Sequence, residues 1–142
     1  MQRDRREDYY QGRLDELCRL YPNLNRTNSE LALSVAITYD VFHSAFANWI
    51  GEFGLAKSTF NILTILRFGP PEGMQLSEIG ELLLTSRANV TGLIDHLEQK
   101  GFVKRAVDIH DRRARIVRLT KKGEQLIDEA LPLHHGRCAT VF

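Results

Sequence analysis

Apolar residues recur every three or four positions along most of the chain, and this spacing predicts a mainly helical fold. The predicted helices cover about residues 8–20, 27–52, 57–68, 77–84, 87–101 and 120–132. The longest carries an apolar stripe from Leu31 to Phe53, and Thr27 forms a capping box with Glu30 at its start. Pro132 predicts the end of the last helix, because proline breaks a helix interior.

The periodicity changes near residue 102, where two β-prone segments flank a polar, charged tip. The segments are residues 102–107 and 115–120, with the tip at 108–113. Two helices joined by a short turn and followed by such a hairpin are typical of a winged helix-turn-helix. We therefore predict a mainly α fold with a small antiparallel β-wing, winged helix-turn-helix plus terminal dimerisation helices.

The three predicted parts form one compact domain. Residues 1–54 supply N-terminal helices for dimerisation and a pocket wall, residues 55–120 the DNA-binding unit, and residues 121–142 a C-terminal dimerisation helix. The stripe on the long helix is wider than one small domain needs, and the terminal helices each have an apolar face. A two-fold pairing that buries these faces predicts a homodimer and a pseudo-palindromic operator.

Charge is distributed unevenly along a chain whose formal net charge is only +1. Residues 99–122 contain nine basic and two acidic side chains, a net charge of +7, whereas residues 31–98 carry −4. A one-sided basic segment of this density favours a polyanionic partner, and we predict double-stranded DNA. A solvated charged face is the alternative interpretation.

The helix after the turn has the composition of a surface that approaches bases closely. Val90, Leu93, Ile94 and Leu97 mark its inward side. The residues predicted to form the surface that reads the major groove are Thr85, Ser86, Arg87, Asn89, Thr91, Gly92 and His96. An ordinary capped helix with a hydrated outer face remains the alternative.

The hairpin tip is predicted to reach the minor groove. Arg112 and Arg113 project there, and Asp111 is predicted to hold an arginine in the reaching geometry. A simple turn-forming role for Asp111 is the alternative.

Other chemistry is sparse. No catalytic motif, cofactor site or metal site is predicted, and neither a signal peptide nor a membrane span is expected, so the predicted location is the cytoplasm. Phe42, Phe46, Trp49 and Asn61 are candidates for a small-molecule pocket, with core packing as the alternative for the aromatic residues. Cys18 leaves open a redox-sensing regulator. A winged helix used only for protein contacts is a further alternative.

Two runs, Leu76–Arg105 and Asp108–Gly123, resemble the MarR family of bacterial regulators. The resemblance implies that Asp111 braces Arg113 in the minor groove, and that residues 86–92 read the major groove. It also implies a dimeric repressor whose DNA affinity responds to a small molecule.

Within that family, Tyr21–Asn25 and Phe60–Pro71 are similar to the urate-responsive, PecS/UrtR-like branch. Leu17, Asn61 and Leu93 stand where that branch is expected to have tryptophan, an acid and arginine. We therefore do not expect urate to be the effector, whose identity the sequence leaves open.

Overall fold

The computed structural model describes residues 5–108 and 114–138, and within these ranges it contains six helices and three strands. In chain order they are α1 (Arg5–Leu20), α2 (Arg26–Gly51), α3 (Lys57–Phe68), β1 (Met74–Gln75), α4 (Leu76–Leu83), α5 (Arg87–Gln99), β2 (Val103–Val107), β3 (Arg115–Leu119) and α6 (Lys121–Cys138). The predicted mainly α fold with a small antiparallel wing is confirmed.

The chain divides into two compact units, Met1–Ala45 and Phe46–Phe142, with the boundary inside α2. The sequence places its first boundary after residue 54 instead. The roles assigned to the three sequence segments stay predictions.

In the first unit, α2 begins two residues earlier than the capping-box pattern predicts, at Arg26 instead of Asn28. The side-chain oxygen of Asn25 accepts a hydrogen bond from the backbone N–H of Asn28 at 3.0 Å, which makes Asn25 the N-cap. Thr27 therefore lies inside the first turn, and its predicted capping role is wrong. Glu30 instead accepts a hydrogen bond from Arg26 at 2.8 Å.

The apolar stripe of α2 remains largely exposed in the first unit. Leu31 is 65% exposed and Val35 is 61% exposed. Tyr39, one turn further along, is 55% exposed and lies beside the ring of His43 at 5.5 Å between centroids. Contiguous apolar side chains of this size at a surface indicate an interaction site.

In the second unit, α3 packs against α6, α4 and β3, while α5 packs against α4 and β2. Side chains that are fully buried come from each of these helices and from both longer strands: Ile62, Leu63, Ile79, Val90, Ile94, Leu97, Val103, Val117 and Ile127. This shared core fixes α5 relative to the wing, so the two elements predicted to meet DNA form one scaffold.

The wing is a three-stranded antiparallel sheet with strand order β1-β3-β2. Arg105 pairs with Val117 across β2 and β3, whereas Met74 of β1 pairs with the same Val117 from the other side. Gly73 precedes β1 at φ +113, and a Cβ there would lie 2.6 Å from the carbonyl oxygen of Val117. Glycine is therefore required where the chain enters the sheet.

The ends of α5 and α6 differ in how well local sequence signals predict them. Gly101 follows α5 at φ +75, and the backbone N–H groups of Gly101 and Phe102 donate to the carbonyls of Glu98 and Leu97. This Schellman arrangement confirms the predicted stop. Pro132, in contrast, lies inside α6, so the predicted end of that helix is wrong.

Tertiary contacts beyond Pro132 explain the continuation of α6. His134 packs edge-on against Phe46 and Phe60, and Arg137 donates to Glu52 at 2.9 Å. These contacts hold the last turns of α6 against the ends of α2 and α3. They offset the hydrogen bond that proline cannot donate.

Candidate nucleic-acid interface

The turn between α4 and α5 is organised by its own polar side chains. Ser86 is the N-cap of α5 and accepts a hydrogen bond from the backbone N–H of Asn89 at 3.3 Å. The Asn89 amide donates to the hydroxyl of Thr85 at 2.9 Å, and the Thr91 hydroxyl donates to the carbonyl of Arg87 at 3.0 Å. These bonds hold the first turn of α5 in place.

Leu84 closes α4 in an unusual backbone conformation. Its φ of 51° and ψ of 44° lie in the left-handed region, and its side chain is 94% exposed. Its N–H donates to the carbonyl of Glu81 at 3.2 Å. An apolar side chain therefore stands in solvent two residues before the N-cap of α5.

The outer side of α5 presents the side chains that the sequence assigns to the major groove. Val90, Ile94 and Leu97 are completely buried on the opposite side. The exposed members of the predicted set are Ser86, Arg87, Asn89, Gly92 and His96, whereas Thr85 and Thr91 are half-buried. The structure thus brings this set together on one surface, and its contact with bases stays a prediction.

The wing is joined to α5 through Arg105. Its guanidinium donates to Asp95 at 2.5 Å and to Glu98, whose other carboxylate oxygen accepts the Arg105 backbone N–H at 2.9 Å. The predicted minor-groove residues Asp111, Arg112 and Arg113 lie outside the described residues. Their roles stay predictions.

Two clefts share Leu76, Ser77 and Arg87 among their lining residues. One, about 580 Å³, extends along α4 to Leu84 and Ser86. The other, about 290 Å³, extends to the wing and is lined by residues that include Ser77, Arg87, Thr91, Arg105 and Arg115. The sequence counts Arg115 in the basic segment but does not place it or Ser77 at the interface, because their proximity to α5 is a product of tertiary folding.

The predicted effector residues fall in different units. Phe46 and Phe60 are buried and stand edge-on, 5.4 Å apart, and His134 lies 4.7 Å from the ring of Phe46. Trp49 is half-buried, 6.4 Å from His134. Burial, and then the neighbouring His135, lower the pKa of His134.

Asn61 is half-buried on α3 in the second unit, whereas Phe42 is half-buried and belongs to the first. Three of the four predicted residues, Phe46, Trp49 and Asn61, thus belong to the second unit. Phe46 and Trp49 form part of its aromatic cluster. The effector-binding role of all four residues stays a prediction.

Other positions from the sequence take ordinary places. Leu17 is 43% exposed on α1, Leu93 is half-buried on α5, and Cys18 is a half-buried free thiol. Among the helices of residues 5–108 and 114–138, none combines the length and apolar character needed to span a membrane.

Comparison with known proteins shows what this region of the chain is similar to. The MarR family model matches residues 53–114, which include the turn, α5 and β2. The HTH-type transcriptional regulator YkoM of Bacillus subtilis is 37% identical over 91 residues, covering 64% of this chain and 58% of YkoM. The repressor YetL of the same organism is 26% identical over 129 residues, covering 91% of this chain and 77% of YetL.

Among solved structures, CouR of Rhodococcus jostii RHA1 shares the fold. The structure of CouR bound to a 23-mer DNA duplex has a TM-score of 0.72 at 24% identity, covering 83% of this chain and 84% of CouR. Apart from YetL, the chain spans about half the length of the curated relatives it matches. The family model, these relatives and the arrangement of α4, α5 and the wing show that this part of the chain is similar to MarR-family regulators.

Proposed function

We propose that this chain is a sequence-specific regulator of transcription that binds double-stranded DNA and acts as a repressor. The observation that carries the proposal is the exposed row of short polar side chains at the start of α5, beside a basic wing. An α-helix fits the major groove of B-DNA, and its first residues then meet base edges. Asn89 suits a bidentate contact with adenine.

A small-molecule effector of unknown identity modulates DNA affinity in this proposal. CouR provides the supporting comparison, since structures exist of that protein bound to p-coumaroyl-CoA and bound to a DNA duplex. The aromatic cluster around Phe46 and Trp49 is the candidate region for such a ligand. Any transmission of binding from there to α5 passes through helices of the second unit, which share one core.

The proposal includes a homodimer on a pseudo-palindromic operator, in the cytoplasm, without a catalytic role. The exposed stripe at Leu31 and Val35 supports the dimer, because pairing would remove this surface from water. Two recognition helices related by a two-fold axis contact half-sites about 34 Å apart.

The test begins by selecting a duplex from a random-sequence library with the wild-type protein. Binding is then measured by fluorescence anisotropy across salt concentrations for the wild type, Asn89→Ala and the matched control Gln99→Ala. Asn89→Ala is expected to weaken binding by about 1–3 kcal/mol and to relax preference at one base pair per half-site. Gln99 is exposed at the far end of α5, so its replacement should change little.

A folded wild-type protein that enriches no duplex would reject the proposal and favour a winged helix for protein contacts. At the wing tip, Arg113→Ala is expected to weaken binding by about 1–3 kcal/mol, and Asp111→Ala to cause part of that loss. Tighter binding by Asp111→Ala at every salt concentration would reject the bracing role.

A further inference from the structure

Three arginines line the cleft between α5 and the wing, which is more positive charge than the neighbouring acidic side chains of the described residues neutralise. Arg87 reaches it from α5, Arg105 from β2 and Arg115 from β3, and Ser77 lies at its edge. Its volume is about 290 Å³. Three guanidinium groups around so small a space repel one another unless anions intervene.

Only one of these arginines is neutralised within the described residues. Arg105 forms ion pairs with Asp95 and Glu98. Neither Arg87 nor Arg115 forms an ion pair with any residue in the ranges 5–108 and 114–138, and both side chains are exposed. Counting the described residues alone, the cleft therefore retains two guanidinium groups without an ion-pair partner.

We propose that this cleft binds one phosphate of the DNA backbone, with contacts from Arg87 on α5 and Arg115 on β3. The inference rests on the proposed function and adds a site to it. A phosphodiester accepts charge-assisted hydrogen bonds from guanidinium groups, frequently in bidentate geometry. The Ser77 hydroxyl supplies a neutral donor, whereas the Thr91 hydroxyl already donates to the carbonyl of Arg87.

The shape of the surface favours a phosphate within a strand over a free phosphate ion. Leu76, Ser77 and Arg87 also border the larger cleft, which extends to Ser86 at the start of α5. A backbone can therefore run from the base-reading turn to the wing across a continuous surface. A phosphate bound in the cleft would fix the position of α5 in the major groove, because phosphate contacts position a protein on the duplex.

The proposal is tested with the library-selected duplex, three single variants of the chain and one double variant. Arg87→Gln and Arg115→Gln remove the two guanidinium groups. Arg118→Gln makes the same charge change on β3 but lines a different cleft. In each of the first two variants, the slope of log affinity against log salt should fall by the equivalent of about one phosphate contact. Their double variant should lose little more than either single variant.

A methylphosphonate scan then locates the contact by replacing one backbone phosphate at a time with a neutral linkage. Wild-type binding should weaken at one position per half-site, and Arg87→Gln and Arg115→Gln should both be insensitive at that position. Arg118→Gln should keep the wild-type pattern. Insensitivity of the two variants at different positions, or unchanged wild-type scans in both, overturns the shared site while leaving DNA binding intact.

Free phosphate is distinguished by titrating inorganic phosphate against chloride at matched ionic strength. Equal displacement of DNA by both salts supports the backbone site. Selective competition by inorganic phosphate that disappears in Arg115→Gln assigns the cleft to a free anion and overturns the proposal. A wild type that binds no duplex overturns both this site and the proposed function.

Discussion

Arg105 on β2 and Glu98 in the last turn of α5 are joined at two points. The Arg105 backbone N–H donates to one carboxylate oxygen of Glu98 at 2.9 Å, and its guanidinium donates to the other. A side chain on the recognition helix therefore holds both the backbone and the side chain of the wing strand. The angle between helix and wing depends on this contact, together with the buried core beneath it.

Arg105→Ala is expected to lower the free energy of unfolding by about 1 kcal/mol, because both carboxylate partners are partly exposed and solvent screens the ion pairs. It should weaken DNA binding further than this stability change explains, because the wing loses a constraint. Chemical denaturation and anisotropy measure the two effects. Lys104→Ala, exposed on the same strand, is the control. Equal losses of DNA affinity in both variants would indicate a simple effect of charge.

Leu84→Gly is expected to stabilise the fold by about 0.5–1 kcal/mol. A non-glycine residue in the left-handed region is strained by about 1–2 kcal/mol, and the added flexibility of the unfolded chain offsets part of that gain. Leu82→Gly is the matched control, because Leu82 is also exposed but lies within α4. That control should destabilise the fold by about 1 kcal/mol. Destabilisation by both changes would show that Leu84 contributes packing that outweighs its strain.

His134 is expected to make the fold less stable as the pH falls below about 6.5. Burial and His135 lower the pKa of His134 in the folded state, so the unfolded chain binds the proton more tightly. The contribution is complete above the unfolded pKa and is lost as the pH falls toward the folded pKa.

Thermal unfolding of the wild type and His134→Gln between pH 5 and 8 measures this dependence, and the variant should show a smaller slope. His96→Gln, exposed on α5, is the control. Arg67 donates a hydrogen bond to Asp128 and lowers the pKa of that carboxyl. The stability that Asp128 contributes is therefore lost at a more acidic pH than the contribution of His134. Parallel slopes in the wild type and His134→Gln would exclude His134 as the source.

Val35→Asp is expected to weaken self-association, because it places a charge within the exposed stripe of α2 that the proposed dimer would bury. Sedimentation over a range of protein concentrations should show a larger dissociation constant with unchanged helicity. Ala36→Asp is the control, since it is exposed and turned by about 100° around the helix. A wild type that is monomeric throughout, or equal effects of the two changes, would reject the stripe as the dimer contact.

Local sequence signals were sufficient where one residue determines one backbone feature. Gly101 ends α5 because the Schellman geometry needs a left-handed residue, and Thr120 accepts the Gly123 N–H at 3.1 Å to begin α6, as predicted. The periodicity of α5 also identified its buried side correctly. Each of these features depends on residues within a few positions of one another.

The sequence by itself determined the order of helices, the hairpin and the polar surface of α5, since these follow from local periodicity and capping. Tertiary structure decided the rest. A two-residue strand such as β1 has no periodicity to detect and exists only because β3 pairs with it. The continuation of α6 through Pro132 depends on contacts from distant residues. Arg87 and Arg115 likewise line one cleft only because α5 and the wing share a core. The two residues are 28 positions apart in the sequence, and residue spacing does not predict contacts over that distance.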